Sequence, residues 1–396
     1  MFAYGFLSVV LVLYLSELGF SAAAIGLLLT LTLVGDTLIS LWITTSADRI
    51  GRRRMLILGA GLMLAAGIVF ALTHNFVILL AAATIGVISP SGNEVGPFLA
   101  IEQASLAQIG ARDKRTGLLA WYNLAGSFAT AAGALCGGGL AQALQGFGIA
   151  KTDSYRAVII GYGLAGILLI VFFLRLSPAI ESPRAAEGLH AAGKQTKLLF
   201  GLHKSKGVVL RLSALFSLDA FAGGFVIQSF MAYWFHLRFA VEPAVLGAIF
   251  FGANILAGIS ALSASWIAKR IGLIRTMVFT HIPSNVLLIL VPLMPSLPLA
   301  IIVLLLRFSI SQMDVPTRQS FTLAVVEPDE RSAAAGVTNV ARTSGASLSP
   351  TIAGALMSHL ALLGLPFVIA GGLKIVYDLV LYRAFKSVKP PEEQNE

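Results

Sequence analysis

The run LRFSISQMDVPTRQSF, residues 306–321, sets Arg307, Asp314 and Arg318 among apolar neighbours at spacings of seven and eleven residues. At 100° per helical residue these three positions fall within about 40° of one another, so a helix here carries one charged stripe, with Ser311 on the same face. Two chemistries fit that stripe. Arg318, one turn beyond Asp314, can neutralise it as a purely structural pair, or Arg307, the deepest of the three, can face a solute. Pro316 lies between the two partners and is expected to bend the helix.

Other ionisable residues interrupt apolar runs in the same way. Asp36 in LVGDTL and Asp219 in FSLDAF are candidate proton acceptors, because apolar surroundings penalise the charged carboxylate. For Asp36 the alternative is an ion pair with Arg342; for Asp219 it is an interhelical hydrogen bond. Glu94 sits in a stretch broken by Pro90, Asn93 and Pro97. Lys374 and Asp378, four apart, are expected to neutralise each other. Asn123 and Asn339 are candidate polar ligands or interhelical contacts. His236 and His281 have no companions at metal-ligand spacing, and Cys136 is the one cysteine, so no metal, cofactor or disulfide is expected.

The elements that must position these residues follow from composition. The chain has 396 residues, 57% hydrophobic and 12% charged, against roughly 25% charged in a soluble domain. Its mean hydropathy is +0.86. Apolar runs long enough to cross a hydrocarbon core recur twelve times. Their limits are 1–16, 24–45, 55–72, 76–98, 116–143, 156–176, 208–235, 244–267, 275–293, 297–317, 332–358 and 362–384. The expected fold is therefore all-α, a polytopic membrane protein of two six-helix repeats. One half spans 1–176 and the other 208–385, with a cytoplasmic linker at 177–207 and a polar tail at 386–396.

A charge at bilayer depth costs about 2.5–3.5 kcal/mol even on the lenient scale, so the charges inside these runs are the site candidates. The basic residues outside them set orientation. If the chain starts inside, the cytoplasmic segments hold 21 Lys and Arg and the opposite loops hold only Lys151, Arg156 and Arg238. Both termini are thus expected in the cytoplasm, in the inner membrane. The net charge of +9 needs no nucleic acid to explain it. The halves repeat at a constant offset of 221 residues, pairing Gly26 with Gly247, Arg49 with Arg270, Gly51 with Gly272 and Arg54 with Arg275. A second match pairs Glu94 with Asp314 and Asn123 with Asn339. Parallel repeats of this kind put a solute site near mid-bilayer. By the same offset the first run is about half as long as its mate, which suggests a truncated first helix.

The block SADRIGRRRM, residues 46–55, then becomes a short cytoplasmic turn. With Thr44 and Leu56 it resembles the signature loop of the major facilitator superfamily through Asp48, Arg49, Gly51, Arg52, Arg53 and Leu56. The resemblance implies a twelve-helix secondary transporter, with Asp48 capping span 11 near Ser332 and the arginines pairing with Glu102 at the end of span 4. It departs from the family at Thr44, where a Gly is usual. Efflux members often carry G-P-x-x-G-G in span 5, whereas here GALCGG (133–138) has Ala134 in place of the Pro, and span 4 lacks the arginine of drug antiporters.

The function expected is proton-coupled movement of a small solute by alternating access, with efflux favoured over uptake, in a monomer embedded in the lipid bilayer. Arg307 and Arg342 favour an anionic or zwitterionic solute; Asp36, Glu94 and Asp219 favour a cationic one. An uptake permease for an organic anion, sugar or amino acid is the alternative, and a sensor or scaffold that does not transport is an alternative of a different class. No phosphate-binding loop and no nucleophile, base and orienter in register point to ATP use or an enzyme.

Overall fold

The computed structural model describes residues 1–92, 97–109, 115–181, 202–327 and 330–386. Every regular element among them is helical, and the order gives twelve spans. Among the described residues eight helices are long and apolar enough to cross a membrane, shorter apolar helices supply spans 1, 4 and 10, and the more polar helix Arg331–Met357 is span 11. Four spans are broken. Span 1 runs as Phe2–Ser8 and Leu11–Glu17, and span 4 as Phe76–Ile85 and Pro97–Ile109. Span 7 runs as Lys206–Gly224 and Gln228–Phe239, and span 10 as Leu297–Phe308 and Asp314–Ala324. These are the first and fourth spans of each repeat, the matching positions at which interrupted helices mark a transport path.

The remaining spans are continuous: Ala22–Ile50, Arg52–Leu72, Arg115–Gly146, Lys151–Leu174, Pro243–Ile271, Leu273–Leu290, Arg331–Met357 and Leu365–Phe385. Local chemistry sets their ends. Ser21 accepts the Ala24 amide at 3.2 Å to start span 2, and Asn75 accepts the Val77 and Ile78 amides at 3.0 and 3.3 Å to start span 4. Spans 2 and 3 are joined through Gly51 at φ +113°, and spans 8 and 9 through Gly272 at φ +88°. Both are backbone conformations that a Cβ disfavours, so the repeat pairs the two glycines for a reason.

The chain divides into two compact units, residues 1–192 with 227–251, and residues 193–226 with 252–396. In the first unit, spans 1 and 5 approach so closely that a Cβ on Gly133 would collide with the Phe2 carbonyl. In the second, spans 7 and 11 do the same, where a Cβ on Gly345 would collide with the Ser217 carbonyl. The small-residue runs of spans 5 and 11 are thus packing surfaces, as close helix approach in lipid requires. The second unit also holds an apolar core of Leu212, Phe216, Met277, Val278, Phe321, Tyr377, Leu381 and Phe385 from spans 7, 9, 10 and 12.

Candidate functional site

Among the described residues of the first unit the buried carboxylate is Asp36, 4% exposed. Its described partner there is the Ser40 hydroxyl, which donates across 3.5 Å, and no cation of the unit pairs with it among the described residues. The nearby span 4 turns sharply after Ile85. Val87 adopts φ +54°, a conformation costing a β-branched residue about 1–3 kcal/mol, and the buried Tyr162 hydroxyl donates to its carbonyl at 2.9 Å. Three residues on, the Pro90 carbonyl accepts from the amide and hydroxyl of Ser229 at 3.2 and 2.8 Å. Glu94 and Asn93 lie outside the described residues.

The loop between spans 2 and 3 is tied inside the same unit. The Arg52 side chain donates to Asp48 at 2.9 Å, to Gln108 at 2.8 Å and to the Ile180 carbonyl at 3.2 Å. Glu181 accepts the Arg52 and Arg53 amides at 2.7 and 3.2 Å, capping span 3, where the helix dipole favours an anion. Arg53 donates to the Leu174 carbonyl, and Arg49 is exposed. This corrects the expectation for Glu102, which accepts the Tyr122 hydroxyl instead of the arginines. Asp48 finds its partner one turn away in Arg52, and the Ser332 side chain it was expected to approach lies outside the described residues. Asn123 is exposed and accepts from Gln103 at 3.2 Å, while Asn339 is exposed with its carbonyl accepting the Thr343 hydroxyl at 3.2 Å.

The second unit gathers most of the remaining candidates around Asp219. Lys374 donates to its Oδ1 at 2.5 Å and Arg342 to its Oδ2 at 3.2 Å, with Arg318 at 3.6 Å and His281 at 4.0 Å. Arg318 also binds Asp314 at 2.7 Å, the pairing at i, i+4 that the sequence offered. Two expectations are corrected. Lys374 does not pair with Asp378 one turn away but reaches span 7, because Asp219 offers it a buried carboxylate at contact distance. Asp378 instead accepts from His281 Nδ1 at 2.9 Å and Asn285 at 3.1 Å. Arg342, offered to Asp36 as an alternative, binds Asp219.

Pro316 does not bend a continuous helix. Span 10 breaks before it, at residues 309–313, and Pro316 falls in the first turn of the new segment, where its missing N–H costs nothing. The break separates Arg307 from the Asp314 and Arg318 pair. His281 and Asn285 were missed as carboxylate ligands. Their signal was present in span 9 as two polar residues at i, i+4, around Pro283, in an apolar helix. Gln108 and Glu181 carried no pattern that a single sequence exposes. Among the described residues no group of three or more His, Cys, Asp or Glu side chains is arranged to hold a metal.

Comparison with known proteins agrees with this architecture. The family model described as Major Facilitator Superfamily matches residues 1–350. An uncharacterized membrane protein of Saccharomyces cerevisiae, YJR124C, is 32% identical over 98% of this chain and 91% of its own length. A mutant form of the nucleoside transporter NupG superposes with a TM-score of 0.74 at 15% identity, covering 97% of this chain and 96% of its own. The xylose transporter XylE from E. coli, in a partially occluded inward-open conformation, superposes with a TM-score of 0.72 at 15% identity, covering 99% and 96%. At such identities the two structures speak for the fold; the family model and the yeast relative go further, and by them this multi-pass membrane transporter belongs to the major facilitator superfamily.

Proposed function

We propose that this transporter couples solute movement to protons through Asp36, at the cytoplasmic membrane, working as a monomer with both termini inside. The observation that carries the reading is the contrast in partners: Asp36 is buried with one hydroxyl at 3.5 Å, whereas Asp219 is held by Lys374, Arg342 and Arg318. A carboxyl without an ion pair can take up and release a proton without leaving a buried cation uncompensated. Asp219 would pay that penalty on every cycle, so it serves as the fixed anchor of its cluster. The distribution of basic residues over the loops supports the orientation.

Export remains the working direction, and it rests on carboxylates able to receive a cationic solute. Of the three weighed for that role, Asp219 is occupied by cations and Glu94 lies outside the described residues, which leaves Asp36. A second reading, a solute bearing an anionic group, is favoured by Arg307, whose buried Nε has no hydrogen-bond partner among the described residues. The test is reconstitution in vesicles containing a pH-sensitive dye, with solute gradients applied in both directions. The expected result is a solute-driven pH change that disappears in Asp36→Asn while solute counterflow persists. Solute flux with no pH change in either gradient overturns proton coupling, and a folded protein that moves no solute favours the scaffold reading.

A further inference from the structure

Arg307 is the cation that the second unit leaves over. Of the 28 Lys and Arg, 24 lie in the loops or near the ends of spans, and the other four, Arg307, Arg318, Arg342 and Lys374, all lie in spans 10 to 12. They meet three interior carboxylates. Asp314 takes Arg318, Asp219 takes Lys374 and Arg342, and Asp378 takes His281 and Asn285. Arg307 is 8% exposed, and its Nε is shielded with no hydrogen-bond partner among the described residues. One turn on, Ser311 is 4% exposed and its hydroxyl has none either.

Two features ease the burial of Arg307 without satisfying it. The Phe308 ring lies 4.9 Å from its Cζ, and the helix Leu297–Phe308 ends beside it, where the dipole favours a cation. Neither accepts its N–H. A buried guanidinium Nε and a buried hydroxyl without hydrogen-bond partners among the described residues are groups a native structure retains only for a reason. The break at residues 309–313 sets them at the end of one helical segment rather than inside a sealed helix.

We propose that Arg307 and Ser311 form a subsite for the carboxylate of an organic monoanion. The guanidinium fork matches a carboxylate in geometry, the hydroxyl supplies a further donor, and one negative charge balances the one excess cation of the cluster, His281 aside. The assignment rests on the transporter reading for the fate of the bound solute, not for its binding.

The test is a thermal-shift titration of the purified full chain with benzoate and lactate, each beside its neutral amide, and with inorganic phosphate. The carboxylates are expected to stabilise the protein and their amides not. Arg307→Gln should weaken the carboxylate about ten- to a hundredfold, the range of a charge-assisted hydrogen bond, and Ser311→Ala should weaken it less. Arg307→Lys, which keeps the charge but not the fork, should fall between, and it carries the test with Ser311→Ala if Arg307→Gln does not fold. Absence of any shift with either carboxylate, equal shifts with the amides, a response to phosphate alone, or a carboxylate response untouched by all three variants overturns the proposal. Vesicle flux separates the two readings: carboxylate binding through Arg307 without flux leaves the subsite standing and removes the transport role. Flux of a neutral or cationic solute, with no carboxylate shift, removes the subsite and leaves the transport role standing.

Discussion

Asp36 in span 2 and Asp219 in span 7 are both buried, at 4% and 3% exposure, yet they keep different company. Asp36 has one serine hydroxyl at the edge of hydrogen-bonding range. Asp219 sits at the centre of a charge cluster drawn from spans 7, 9, 10, 11 and 12. The same side chain at similar burial is therefore two devices. One is a carboxyl with no ion pair among the described residues; the other is a counter-ion whose removal strands several cations. What decides between them is the supply of cations, and the four Lys and Arg placed deep within apolar runs, Arg307, Arg318, Arg342 and Lys374, all belong to the second repeat.

The sharpest break of that comparison is to remove each carboxylate in turn. Asp219→Asn leaves the buried Lys374 and the half-buried Arg342 without their anion, a loss expected to cost about 3–5 kcal/mol. Asp36→Asn removes no ion pair seen among the described residues and should cost far less than the Asp219 change, while abolishing the pH response. Thermal unfolding of both variants in detergent checks this, and equal destabilisation would erase the distinction. Next in size is Lys374→Met. Arg342 and Arg318 still serve Asp219, so this change should cost less than Asp219→Asn. The double variant with Asp219→Asn should be less destabilised than the sum of the two singles, which a double-mutant cycle measures. Smaller again is Asn285→Ala, which leaves Asp378 with His281 and should cost about 1–3 kcal/mol for the lost donor.

Much of the frame was legible in the sequence because its signals are local. Twelve apolar runs, the repeat at a fixed offset and the paired Gly51 and Gly272 all depend on residue type and spacing. The i, i+4 bond of Arg318 to Asp314 was legible for the same reason. Partner choice across helices was not. Lys374 has a carboxylate one turn away on its own helix and takes one from span 7, and nothing in the order of residues says which face meets which neighbour. Glu102 was assigned to the arginines by analogy alone, while Gln108 and Glu181, with no motif to announce them, sit where the loop's donors point.

The smallest effect belongs to the polar ends of the spans, where each unit has a glutamate that accepts backbone amides at the start of a helix. Glu181 caps the amides of Arg52 and Arg53 in the first unit, and in the second Glu330 accepts the amides of His203, Lys204 at 2.9 Å and Ser205 at 2.9 Å. Burial raises the Glu330 carboxyl, but the Ser205 hydroxyl and those three amides outweigh it and hold the carboxyl down to about 2. A depressed carboxylate contributes stability that is complete above its ordinary range and fades as pH falls toward that lowered value. Between about pH 5 and pH 2 the wild type should therefore lose this contribution. Glu330→Gln keeps an acceptor but not the charge, so its unfolding temperature should vary less over that window. The difference between the two curves should be greatest at neutral pH and close as acid is added. Curves that stay parallel down to pH 2 would mean that the three amides hold Glu330 by geometry alone, and that its charge does nothing to fix the start of span 7.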